Sequence, residues 1–102
     1  MANTNINVNN APTVSTYTTL YTCGDNFMGN VIATNVSAST AKIRIAMRPL
    51  GAALATAHFL IYDYILPAGQ SYTANGLALN NTDRVEVYCD VACSFNLFGV
   101  SR

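Results

Sequence analysis

The side chains of this chain that are able to carry chemistry are few: one histidine, His58, three cysteines, Cys23, Cys89 and Cys93, and five carboxylates, Asp25, Asp63, Asp83, Glu86 and Asp90. Catalysis of the Ser-His-Asp or Cys-His type would have to run through His58, because imidazole is the general base that activates such nucleophiles. No Gly-x-Ser-x-Gly elbow accompanies it, and a lone histidine at the start of a strand is more often exposed or simply hydrogen-bonded. A glycosidase needs two carboxyl groups facing each other across the scissile bond. Asp25 and Asp83 instead lie in clusters of turn residues, and Glu86 and Asp90 fall on the outer row of a strand, where acids are normally solvated. Zinc could draw on Cys23, Cys89, Cys93 and His58, which satisfies the ligand count but lacks the paired C-x₂-C spacing of structural sites. The chemistry-bearing residues therefore point away from an enzyme, and to no metal and no cofactor.

An odd number of cysteines cannot close a complete intramolecular disulfide framework. Cys89-Asp90-Val91-Ala92-Cys93 has the length of a short hairpin turn, which makes Cys89 and Cys93 the candidate disulfide if their Cα atoms fall within about 7 Å. Two reduced thiols are the alternative in a protein made in the cytosol. Cys23 then either bridges to another chain or stays a free thiol acting as a small hydrophobe. Two sequons occur, at Asn35-Val36-Ser37 and Asn80-Asn81-Thr82, and without secretion they are idle.

The elements that must position these residues are strands. In Lys42 to Arg48, Ile43, Ile45 and Met47 alternate with Lys42, Arg44 and Arg48, the period-2 signature of one dry and one wet face. That basic row is either a solvated face or an ion-pairing surface for an acidic partner. Pro49 to Leu54 breaks the run, and His58 to Leu66 resumes it, with Phe59, Ile61 and Ile65 expected on one side and Leu60, Tyr62, Tyr64 and Leu66 on the other. Asp63 falls on the Phe59 side, which calls either for a bulge there or for a strand covered on both faces with Asp63 paired to a basic residue. Val14 to Thr22, Phe27 to Val36, the interrupted pair Ser71 to Asn75 and Leu77 to Leu79, Arg84 to Val91 and Ser94 to Val100 complete the set. Seven or eight short strands between turn clusters, with no stretch of helical period, predict a single-domain antiparallel β-sandwich of the jelly-roll kind over residues 14–102. Residues 1–13 are Asn-rich with only Ile6 and Val8 as sizeable apolar side chains, so they are read as an N-terminal arm, frayed or ordered only against a neighbouring subunit.

With 102 residues, 51% hydrophobic, the chain is long enough for a real core, but only 10% of it is charged where about a quarter is usual, so apolar surface is expected to face other subunits. Zero net charge provides no field toward nucleic acid or anionic membrane, and no apolar run approaches the ~20 residues of a membrane helix. The first twelve residues lack the basic and then apolar pattern of a signal peptide, so synthesis in the cytosol is expected.

The run Thr19-Leu20-Tyr21-Thr22, the segment Ile43 to Pro49 followed by Gly51-Ala52-Ala53-Leu54-Ala55, His58 to Asp63, Leu66-Pro67-Ala68-Gly69, Val85-Glu86-Val87-Tyr88 and the ending Ser94 to Gly99 together resemble small structural proteins of tailed bacteriophages. The likeness spans about residues 16–99, and its motifs are structural. It implies a virion protein made in the bacterial host cytoplasm, non-enzymatic, most readily a head decoration or cement subunit that binds the major capsid protein or neck and tail proteins. A receptor- or glycan-binding module at the neck or tail is the alternative, with tyrosines stacking on sugar rings. The implied assembly is a homo-oligomer, a trimer being favoured, with Ile6, Val8, Lys42, Arg44, Arg48, Tyr62, Tyr64 and Phe98 as candidate interface residues.

Overall fold

The computed structural model describes residues 4–49 and 52–101. Among them eight strands occur in chain order: β1 (Thr4–Asn10), β2 (Thr18–Thr22), β3 (Phe27–Asn35), β4 (Ala41–Arg48), β5 (Phe59–Leu66), β6 (Ser71–Leu79), β7 (Arg84–Cys89) and β8 (Cys93–Ser101). They form two antiparallel sheets of four strands, ordered β1-β8-β3-β6 and β2-β7-β4-β5. Alternation decides which residues the sheets share between them. Phe27, Val31, Phe95 and Leu97 from the first sheet meet Ile43, Ile45, Val85 and Val87 from the second in one buried cluster. Each is at most 1% exposed, so these eight side chains form the centre of the apolar burial that holds the layers together.

β1 corrects the expectation of an arm outside the domain. It lies at the edge of the first sheet, in unbroken register with β8 from Thr4 opposite Ser101 to Asn10 opposite Phe95. Ile6 and Val8 pack against the core cluster. Two apolar residues cannot hold a strand alone, but opposite Gly99 and Leu97 they finish a hydrophobic layer that already exists.

Other boundaries shift for local reasons. The expected strand from Val14 starts only at Thr18, because Ser15 takes a left-handed φ of 57° and donates its N–H to the Cys89 carbonyl at 2.7 Å. β6 is one strand rather than two fragments: Asn75 and Gly76 together oppose Asn30, a bulge that Gly76 relieves with φ 71° and secures by donating its N–H to Asn30 Oδ1 at 3.1 Å. β7 stops at Cys89, leaving Val91 in the turn to β8. In the joint between β4 and β5, Leu50 and Gly51 of the expected small-residue loop lie outside the described residues, and a short 3₁₀ turn, Thr56–His58, precedes β5, so that strand starts one residue later than its sequence suggests.

One polar side chain organises the end of the molecule where β3, β5 and two turns converge. Asn35 is fully buried. Its Nδ2 donates to the carbonyls of Ser39 at 2.7 Å and Leu66 at 2.9 Å, and its Oδ1 accepts from the Ser37 N–H at 2.9 Å and the Ser37 hydroxyl at 2.7 Å. The backbone of the same residue bonds Gln70 and Gly69, so every polar group of Asn35 is satisfied. Burial also closes the first sequon to any modifying enzyme.

Candidate functional site

The outer face of the second sheet carries the densest group of functional side chains, and a bulge builds it. Against β4, β5 slips register on both sides of Ile45, so that Ile43 opposes Tyr64, Ile45 opposes Ile61, and Arg44 faces both Tyr62 and Asp63. Asp63 accommodates the extra residue with φ 52°, a left-handed conformation that aspartate tolerates better than most residues. The bulge expected from its misplacement in the sequence pattern is present, and it turns Asp63 toward Arg44, whose Nε donates to Asp63 Oδ1 at 2.6 Å. The slips also re-sort the faces of β5. Ile61, Tyr64 and Leu66 stand opposite core residues of β4, whereas Phe59 points outward with Tyr62.

The Arg44 guanidinium is sandwiched. Its Cζ lies 4.1 Å from the Tyr62 ring centroid and 4.5 Å from that of Tyr88, the residue directly across on β7, and its Nη1 donates to the Tyr17 hydroxyl at 2.7 Å. Cation–π contacts of this kind contribute about 0.5–2 kcal/mol each, depending on how far water is excluded. The hydrogen bond to Asp63 raises the Arg44 pKa further, and in return the guanidinium holds the Asp63 carboxyl below its usual range.

Beside this group, Tyr17, Phe59 and Tyr62 line a cleft of about 530 Å³ whose far wall is Leu54, Ala55 and Thr56. Phe59 meets Tyr62 edge to face at 4.9 Å and Tyr17 at 6.2 Å. The wall is held by the residue that sequence reasoning weighed as a catalytic base: His58 Nδ1 accepts the Ala55 N–H at 3.1 Å, while the His58 N–H donates to the Ala55 carbonyl at 3.0 Å. Arg48 holds the segment that leads into the wall, donating from Nη1 to the Ala52 carbonyl at 3.2 Å.

The basic row of β4 is thus spent within the chain. Arg44 pairs with Asp63, and Arg48 pairs with Glu86 at 3.4 Å. Glu86, expected on a solvated row, is 8% exposed and also accepts from the Thr19 hydroxyl. Only the Lys42 side chain is left exposed; its backbone N–H donates to Asp90 Oδ1 at 2.7 Å. Tyr64 stacks on Tyr72 at 4.6 Å where β5 and β6 edge the two sheets, and Phe98 stands on the opposite outer face of the molecule. Ile6 and Val8 point toward the core, so the candidate interface residues do not form one surface.

The three cysteines are free and buried, which corrects the candidate Cys89–Cys93 disulfide. Burial pushes the pKa values of both Cys89 and Cys93 up, that of Cys93 to about 12. A thiol so placed stays protonated and inert at neutral pH. Cys23 Sγ contacts the carbonyls of Asp25 at 3.3 Å and Leu79 at 3.9 Å. Among the described residues no three His, Cys, Asp or Glu side chains group as a metal site, and no helix is long and apolar enough to cross a membrane.

Tyr17 and Phe59 reach the cleft without any signal in the hydrophobic pattern, and the wall of Leu54 to Thr56 has none either. Only the out-of-phase Asp63 marked the place. Comparison of the chain with protein-family models, with curated proteins and with solved structures finds no match.

Proposed function

We propose that this chain is a non-enzymatic structural subunit of a tailed-phage particle, a jelly-roll module that stabilises the particle, as a head decoration or cement protein does, by contacts with the major capsid protein or with neck and tail proteins. The strand orders β1-β8-β3-β6 and β2-β7-β4-β5 support the jelly-roll reading, since that architecture sets eight strands in two four-stranded sheets. The observation that carries the functional reading is the exposure of large apolar side chains on both outer faces. On the first sheet Met28, 62% exposed, stands directly opposite Val100, with Phe98 beside it; on the second, Leu60 and Tyr62 are open to water. Apolar groups scattered singly need no explanation, but a cluster on a chain with so few charges is surface that a partner covers. Quantitative mass spectrometry and labelled antibody on gradient-purified particles test the proposal. Many copies per particle on the head surface are expected, and absence from purified particles would overturn it.

The aromatic cleft favours a second reading, a glycan-binding module. Tyr62 and Phe59 offer ring faces and edges for the apolar side of a pyranose, and the Tyr17 hydroxyl and Thr56 stand ready to bond its hydroxyls. Binding of the isolated protein to a glycan array, lost in Tyr62→Ala, would support it. An array with no signal above that variant would dismiss it.

A further inference from the structure

The four outer strands of the two sheets are not built alike. β2 breaks register between Thr19 and Tyr21, β5 slips twice against β4, and β6 bulges at Asn75 and Gly76. A break of this kind twists the strand and spoils the row of outward N–H and C=O groups, which is one way sheets avoid pairing with other chains. β1 has no such device. It runs in unbroken register with β8, contains neither proline nor a charged side chain, and among the described residues has no strand on its other side.

The order of side chains in β1 says what fits that open edge. Around Asn7, Ile6 and Val8 face the core side, Asn5 and Asn9 face outward with Asn7 itself, and Thr4 and Asn10 close the ends. The strand is symmetric in chemical type about its centre. An antiparallel pair related by a two-fold axis sets residue i of one copy against its mirror position in the other. Only a strand that reads alike in both directions is complementary to itself in that arrangement.

We propose that β1 is the seam of a homodimer, in which β1 of one copy pairs antiparallel with β1 of a second copy about a two-fold axis through Asn7. Ile6 then opposes Val8 of the second copy on the core side, giving an apolar cross-strand pair. On the outer side Asn5 opposes Asn9 of the second copy and Asn7 opposes Asn7. A carboxamide carries two donors and an acceptor, so asparagine facing asparagine satisfies itself where a charged residue would repel its copy. Zero net charge leaves no global repulsion between the copies. The first sheet becomes eight strands wide, and Phe98 and Val100, one strand in from the seam opposite Asn7 and Asn5, lie on a continuous outer face shared by both copies. A two-fold seam makes a dimer, in place of the trimer that the resemblance implies. It is independent of whether the protein belongs to a particle.

Sedimentation of the full chain at micromolar concentration tests the seam. The wild type is expected to run as a dimer. Asn7→Lys, which places two ammonium groups opposite each other at an exposed position, should weaken dimerisation at least ten-fold while the far-UV spectrum stays that of the folded sheet. The register is read by mixing Asn5→Cys chains with Asn9→Cys chains under mild oxidation: the mixed pair should cross-link faster than either variant does with itself, and the buried native thiols do not compete. A monomeric or trimeric wild type, a folded Asn7→Lys variant that dimerises as the wild type does, or equal cross-linking in all three mixtures would overturn the proposal.

Discussion

Replacing Asn35 tests whether one buried amide secures the end of the sheets where three chain segments meet. Asn35→Ala removes four side-chain hydrogen bonds, of which the one to the Leu66 carbonyl is buried and the two to Ser37 and the one to Ser39 reach partly hydrated ground. Stranding the Leu66 carbonyl costs about 1–3 kcal/mol, and each of the three bonds that water replaces costs about 0.5–1.5 kcal/mol net, for a total of roughly 2.5–7.5 kcal/mol. Against a domain stability of about 5–15 kcal/mol that is a large loss. With a urea slope of about 1–3 kcal/mol/M, the unfolding midpoint should fall by about 2 M.

Asn35→Asp sharpens the test because it keeps the shape and changes only the donor. The new carboxyl can still accept from Ser37, but its second oxygen points at the carbonyls of Ser39 and Leu66, which repel the ionised form. Its pKa in the folded protein therefore rises above the unfolded value of about 3.9, and the penalty grows as pH climbs through the interval between the two. Urea midpoints measured at pH 4 and pH 7 should show the variant closer to the wild type at the lower pH. An Asn35→Ala variant within 1 kcal/mol of wild type, or an Asn35→Asp variant whose deficit does not change with pH, would refute the reasoning.

Gly29 and Gly99 pair across β3 and β8, and a Cβ on Gly29 would meet the Phe98 carbonyl oxygen, the Phe27 ring tip at 2.6 Å and the Gly99 Cα at 2.8 Å; Gly29→Ala should cost about 1–3 kcal/mol or more in thermal unfolding, whereas Gly24→Ala, with nothing within 4 Å, should be nearly silent. The lowered Asp63 pKa means that its pairing with Arg44 stabilises the fold above the unfolded carboxylate pKa and is lost as pH falls through the folded one; the melting midpoint of Asp63→Asn should accordingly lie below wild type at pH 7 and converge with it in acid, and parallel curves would contradict the pairing. A thiol reagent at pH 7.5 should leave the folded protein almost untouched and titrate all three cysteines in denaturant; rapid labelling of the native state, or fewer than three thiols after unfolding, would count against buried free cysteines.

The strands that bury one face were legible from sequence because alternation is a local property: Ile43 and Ile45 were expected on a dry face, and both are buried. What failed depends on partners far away in the chain. The N-terminal segment lacks apolar content of its own, and nothing near it announces that β8 will supply the missing neighbour. Glu86 looked solvated by parity, yet Thr19 and Arg48 close over it from two other segments. At the cleft, the Asp63 irregularity was visible but its effect on Phe59 was not. Two register slips move side chains between faces without changing a letter of the sequence.

The pairing of Thr4 with Ser101 has a consequence for how the molecule comes into being. β1 leaves the ribosome before any other described strand, and β8, its partner among the described strands, is the last of them to emerge. β3 waits as well, because β8 sits between it and β1. The first sheet therefore cannot be completed until β8 has emerged, and its assembly must close a loop spanning nearly all of the described residues. Chains dominated by such distant pairings fold in milliseconds to seconds rather than microseconds. For that interval β8 and β3 present bare edges, and a nascent chain lying beside another is exposed to pairing with the wrong copy.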